Sequence, residues 1–266
     1  MLPPRPPRQE GPVRELPRRE RSALTRGPKA TIELLLTDDG MQRAVVECPR
    51  NALKAFSNLA SQLLVSHEHT NLQIPPGNVA LGALRYIMAW IPRTCEAADF
   101  MRKSSYSGGI WRWLTASIAI KRKDEFKQNV LVYQAALYLE ITEVLTTIGG
   151  LLNMRIDSFE RAPWSFDDAS YVILTLPRDC GMVNRLIEKM ALTRRRNNLD
   201  QVFLWQLESL CKAHPQLAKR FEEEDQPKPR QNPPPRRNSP AGDERDYSGR
   251  ILSDREVDFI MCRHHR

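Results

Sequence analysis

The chain has 266 residues, 41% of them hydrophobic, and 40 Lys and Arg against 32 Asp and Glu give it a net charge of +8. That length fits one domain with tails or two small ones. No run of about eighteen apolar residues exists to suggest a membrane helix, and the first residues lack the apolar stretch of a secretory signal, so the expectation is an intracellular protein of the nucleus or cytoplasm.

Residues 1–29 hold seven of the 20 prolines, with eight Lys or Arg against three Glu. With almost no periodic apolar residue to offset ordering entropy, they read as a disordered basic arm. Thr31–Thr37 is β-compatible, and Asp39-Gly40 supplies the positive φ of a hairpin turn into a returning strand from Met41 to Cys48. Pro49 stops the pairing, and from Asn51 the apolar residues Ala52, Leu53, Phe56, Leu59, Ala60, Leu63 and Leu64 predict a helix of about four turns. Asn71–Ile74 alternates polar and apolar before Pro75-Pro76-Gly77 and reads as a third strand. Asn78 is then a candidate cap for a helix through Val79, Leu81, Leu84, Ile87, Met88, Trp90 and Ile91, apolar on more than one side and therefore central.

Cys95 to Asp124 reads as an insertion, with a Ser/Gly loop at 104–109 followed by Ile110-Trp111-Arg112-Trp113-Leu114. Trp111 and Trp113 are candidate partner-binding anchors, because tryptophan carries large contact area at interfaces; packing on the domain's own core is the other reading. Phe126, Val130, Leu137 and Ile141 mark a core-facing stripe on a helix over 125–140. A further helical run follows Thr142, in which Gly149-Gly150 lowers helix propensity and allows close packing or a kink. Ser165 or Asp167 can cap the next helix, over 169–176, and 178–195 predicts another. Gln201–Phe221 gives a last apolar pattern through Val202, Leu204, Trp205, Leu207, Leu210, Leu217 and Phe221, broken at His214-Pro215.

Residues 226–250 carry six prolines and read as a disordered linker. After them Leu252-Ser253-Asp254-Arg255-Glu256-Val257 fits a capping box with a hydrophobic staple, and Val257, Phe259 and Ile260 are candidate interface residues on a short helix that docks in cis or on a partner. Ser239, in Arg236-Arg237-Asn238-Ser239-Pro240, is a candidate phosphorylation site because it is flanked by basic residues in a linker.

Val46 to Leu53 with Phe56-Ser57 is similar to the start of a BTB/POZ domain, especially the divergent BTB-like proteins common in filamentous fungi. Ala83–Ile91 resembles that family's next helix, Asn129–Ile141 its tyrosine- and alanine-bearing helix, and Thr142–Met154 the partner of that helix. Leu176-Pro177-Arg178-Asp179 with Asn184-Arg185-Leu186 resembles the start of the helical extension. The resemblance implies an α+β fold, a small three-stranded sheet packed on a helical cluster, with a BTB/POZ-like domain over 30–160 and a helical extension over 161–222. A disordered linker over 223–250 and a capped helix and tail over 251–266 complete the expected layout.

The resemblance also implies a protein-protein interaction module, a scaffold or adaptor acting by homodimer formation or by binding a protein partner, including cullin-type ligases. This chain departs from the family there: no hydrophobic-x-acid motif follows Trp90, and Leu59-Ala60 stands where many members have an aromatic after the serine. The alternative is a nucleic-acid-associated factor that binds phosphates through the basic arm. Arg194-Arg195-Arg196 has two readings, a phosphate site and a solvated helix C-terminus, where the helix dipole favours cations.

No enzyme is expected, since no Walker loop, dinucleotide fingerprint or nucleophile elbow is present, and His67-Glu68-His69 lacks the i, i+4 pair of a zinc protease. Cofactor and metal are expected to be none. Cys262 beside His264 and His265 is a tail cluster, and Cys48, Cys95, Cys180 and Cys211 have no pair at metal or redox spacing, which points to free thiols.

Overall fold

The computed structural model describes residues 13, 16–38, 40–65, 70–103, 111–115, 120–121, 123–162 and 164–225. Their fold is mixed α and β: ten helices, a three-stranded sheet and a two-stranded ribbon among the described residues.

Strands β1 (Lys29–Leu35) and β2 (Arg43–Pro49) pair antiparallel, and β3 (Asn71–Ile74) joins the other side of β1 in parallel, for the order β2-β1-β3. Alternation sorts the residues by face. Ala30, Ile32, Leu34, Cys48, Leu72 and Ile74 are buried, whereas the other face is held by polar pairs, Lys29 with Glu47 and both Arg43 and Gln73 with Glu33. One face of the sheet is therefore core and the other wet. Helix α4 (Leu81–Glu96) buries Leu84, Ile87, Met88, Trp90 and Ile91 and is central, as its all-round apolar pattern predicts. Asn78 does not cap it; Ala80 is the N-cap, and the Asn78 amide donates to the Pro75 and Pro76 carbonyls within the preceding turn.

Composition places residues 18–24 in the disordered arm, but they form helix α1 (Arg18–Leu24). Arg21 explains the difference. Its guanidinium is 0% exposed and donates from Nη1 to the Thr94 carbonyl at 3.1 Å and from Nη2 to the Ala97 carbonyl at 2.8 Å. These oxygens belong to the end of α4, where the last carbonyls have no partner within the helix. Pro92, inside α4, also removes the bond that residue 92 would donate to Met88, so the helix continues to Glu96 across a missing rung with its end held by α1. A composition count sees the charge of Arg21 and misses the buried carbonyls that need it.

The single four-turn helix expected over 51–64 is two helices, α2 (Arg50–Phe56) and α3 (Asn58–Leu63). Ser57 breaks it with extended backbone, accepts the Ala60 amide as N-cap of α3, and donates its hydroxyl to the Leu139 carbonyl. Leu139 ends helix α5 (Phe126–Leu139), so the hydroxyl caps one helix while docking the corner on another. Arg50 repeats the Arg21 device: 4% exposed, it donates from Nη2 to the Leu64 carbonyl just beyond α3.

Helix α6 (Thr142–Asp157) packs against α5 at Gly149, where an added Cβ would lie 2.8 Å from Tyr133 Cε2. Gly150 has nothing within 4 Å of the same position. The two glycines should therefore respond with opposite sign. Gly150→Ala is expected to stabilise by about 0.5–1 kcal/mol through helix propensity. Gly149→Ala should lose that gain and about 1–2 kcal/mol more by displacing the Tyr133 ring. Urea midpoints of the two variants check this, and equal shifts would remove the close-packing account.

The stretch expected as a helical extension holds α7 (Phe166–Thr175), α8 (Gly181–Arg195), α9 (Gln201–Ala213) and α10 (Pro215–Asp225), the last running three residues past the expected boundary at 222. Ser165 caps α7 by accepting the Asp168 amide, and Asp200 caps α9 through the Val202 and Phe203 amides. The break at His214-Pro215 falls between α9 and α10. Aromatic rings join the extension to the core: Trp164 meets Phe126 edge-on at 5.3 Å and Phe159 at 5.4 Å, while Phe203 meets Phe159 and Phe166.

Candidate functional site

A cleft of about 1450 Å³ lies between α5, the end of α7, the α7–α8 link, and the junction of α9 with α10. Each wall follows from local sequence. Leu176 is the extended C-cap of α7, so the chain leaves the helix at Pro177 and passes across the cleft to Cys180. The kink at His214-Pro215 turns α10 back and brings Leu217 and Arg220 to the opposite side. Gln134 donates to the Thr175 carbonyl at 2.9 Å and holds α5 to the end of α7.

The floor is apolar, with Leu137 and Tyr138 half-buried and Leu176 and Leu217 buried. Leu174 stands out as 56% exposed within the cleft. Arg178 and Arg220 bring positive charge to it, the latter donating to Asn184 Oδ1, and Asp179 is the acid among the lining residues. Burial pushes the Tyr138 hydroxyl above its ordinary pKa, so the phenol is neutral at physiological pH.

His214, Asp179 and Cys180 all line the cleft, which raises the question of a nucleophile and base. No hydrogen bond joins Cys180 to His214, and the pKa of the Tyr133 hydroxyl is raised, chiefly by burial and then by the neighbouring Cys180 thiol. Burial also pushes Cys48 up to about 12 and Cys95 to about 11, so both are neutral thiols at physiological pH rather than thiolates. Cys48, Cys95, Cys180 and Cys211 are free. Among the described residues no group of three metal-ligating side chains occurs, and no helix is long and apolar enough to cross a membrane.

The residues singled out from sequence fall in several places. Trp111 and Trp113 lie on β5 (Trp111–Thr115), paired antiparallel with β4 (Asp99–Lys103) so that Trp111 is opposite Lys103 and Trp113 opposite Met101. Val257, Phe259, Ile260, Ser239, Cys262, His67, His69, His264 and His265 lie outside the described residues. The triple-arginine run is divided at the end of α8: Arg194 lies 5.8 Å over the Phe221 ring, and Arg196 pairs with Glu160 at 2.7 Å. That favours the helix-end reading over a phosphate site.

Two features escaped sequence reasoning. Leu174 looks like one more apolar residue of α7, and only the fold shows that Val172 and Ile173 take the inward positions. On α9, Phe203 and Leu207 are the buried pair, which turns Val202 and Trp205 outward at 63% and 67% exposure. Comparisons with family models, curated proteins and solved structures found no match at any of the three levels.

Proposed function

We propose that this chain is a BTB/POZ-like protein-interaction module, and that it binds a protein partner in the cleft between α5 and the α7–α10 extension. A three-stranded mixed sheet on a helical cluster supports the first half of that reading. The cleft itself carries the second. Small-molecule sites typically enclose about 300–1,000 Å³, whereas this one is larger, open, apolar on its floor and flanked by arginines. Those properties suit an amphipathic segment of another protein, with apolar anchors against Leu174 and Tyr138 and a carboxylate facing Arg178 or Arg220. Binding rather than catalysis is the mechanism: the bound segment is held by buried apolar area and oriented by charge.

Self-association through the same module is the second mode, and light scattering at micromolar concentration reads it directly. A cullin-type ligase is a weaker candidate partner, because the hydrophobic-x-acid motif is missing after Trp90.

Leu174→Glu is the variant that tests the cleft. The residue is exposed, so stability should change by less than about 0.5 kcal/mol, while the new carboxylate opposes an acidic-apolar ligand. Affinity capture from an extract of the protein's own cells should retain a specific partner on the wild type and lose at least about tenfold of it on the variant. Equal retention by both proteins would overturn the assignment of the cleft.

A further inference from the structure

We propose that the β4–β5 ribbon is a binding surface for single-stranded nucleic acid, a function separate from the cleft. The charge distribution is the first reason. Residues 30–225 carry 23 basic and 23 acidic side chains, yet residues 100–123 contain six Lys or Arg and no Asp or Glu. The domain is neutral as a whole and positive in one stretch, which ends at Asp124 and Glu125. Four aromatics, Phe100, Tyr106, Trp111 and Trp113, are interleaved with those cations.

The strand register is the second reason. Arg102 is directly opposite Arg112, and like charges at opposed positions destabilise a ladder unless an anion offsets them. Phosphate supplies that anion. Trp111 and Trp113 are two apart on β5 and so hold positions on one face of the ribbon, about 6.6–6.8 Å from each other. That is close to the spacing of neighbouring phosphates in an extended single strand, so two successive bases could stack there, with Lys103 opposite Trp111. Neither strand packs extensively on any other described element, and a two-stranded ribbon is marginal by itself in water. A strand of nucleic acid laid on it would add the contact area it lacks.

After the ribbon in the sequence, Lys123 Nζ lies 3.7 Å over the Tyr86 ring, and the Tyr86 hydroxyl donates to the Lys121 carbonyl. This fixes the two lysines beside α4 and continues the positive stretch onto the folded domain. The basic arm is a different candidate for the same ligand, but two of its eight cations are committed elsewhere: Arg21 is buried against α4 and Lys29 pairs with Glu47.

Fluorescence anisotropy with fluorescein-labelled oligothymidylate and oligouridylate of about 20 nucleotides tests the proposal on the full chain. Binding should weaken with salt, with a log-log slope of about −2 to −4 for three to five neutralised phosphates. The double variant Trp111→Ala/Trp113→Ala should weaken binding by about tenfold or more. Arg102→Glu/Arg112→Glu should do so by at least as much, and keeps the test valid if loss of the tryptophans unsettles the ribbon. Three results would overturn the proposal: no binding at low salt, binding unchanged in both ribbon variants but lost on deleting residues 1–15, or displacement by polyglutamate as effective as by unlabelled oligonucleotide. The last would make the ribbon a site for acidic protein.

Discussion

Replacing Arg21 by Ala is expected to lower the unfolding free energy by about 3–5 kcal/mol. The guanidinium makes two charge-assisted hydrogen bonds to carbonyls at the end of α4, each worth about 1.5–3 kcal/mol. Removal also leaves the Thr94 and Ala97 oxygens without this donor in the interior and opens a void the size of the side chain. Arg21→Lys should recover only part of the loss, because one ammonium cannot reproduce a fork that reaches two separated acceptors. Deleting residues 1–26 should cost at least as much as Arg21→Ala. Urea unfolding followed by circular dichroism measures all three, and a loss below about 1 kcal/mol for Arg21→Ala would show that α1 is dispensable.

Trp164→Ala is expected to cost a similar amount, about 3–5 kcal/mol, by the range for large-to-small aromatic substitutions. Its ring joins Phe126 on α5 to Phe159 at the end of α6, and Arg155 lies 5.5 Å over it. Its Nε1 donates to the Arg155 carbonyl at 3.1 Å. Through Phe159 and Phe203 the contacts continue to α9, so the loss should fall on the seam between core and extension. Trp164→Phe keeps most of the packing and loses the hydrogen bond, and about 1–2 kcal/mol is expected from it. If Trp164→Ala unfolds within about 1 kcal/mol of the wild type, the aromatic seam is not what fastens the extension.

Legibility in the sequence followed how local the cause was. The turn at Gly40, which takes φ +69°, the stop after Ile74 and the break at His214-Pro215 are set by neighbouring residues, and each was readable. The division of α2 from α3 was not, because the signal is a serine whose hydroxyl acts on Leu139, 82 residues away. Arg21 failed for the same reason, its acceptors lying 73 and 76 residues along the chain. Trp205 belongs to a pattern so dense in apolar residues that it fits more than one helical face, and only Phe203 packing on Phe159 and Phe166 decides which face turns inward.

The candidate site was less legible than the fold. The cleft is assembled from five separate stretches, and its floor residues carry no motif; a leucine in a groove and a leucine in a core are identical in sequence. The trace that could have been found earlier is Pro177 followed by Arg178-Asp179, a polar link directly after an apolar helix end, together with the Pro215 kink. Trp111 and Trp113 stand out in the sequence as candidate anchors, but the Arg102–Arg112 register does not.

Site-specific photocrosslinking tests the central claim, that the cleft is a protein-binding site, most directly. A benzophenone amino acid placed at Leu174, inside the cleft, is compared with one at Met154, an exposed residue of α6 at 63% that does not line it. In an extract of the protein's own cells, the account predicts a discrete crosslinked partner from position 174 and none from 154, with the product lost when the charge at Arg178 or Arg220 is reversed by substitution to Glu. The same products from both positions, or none from 174, would contradict it.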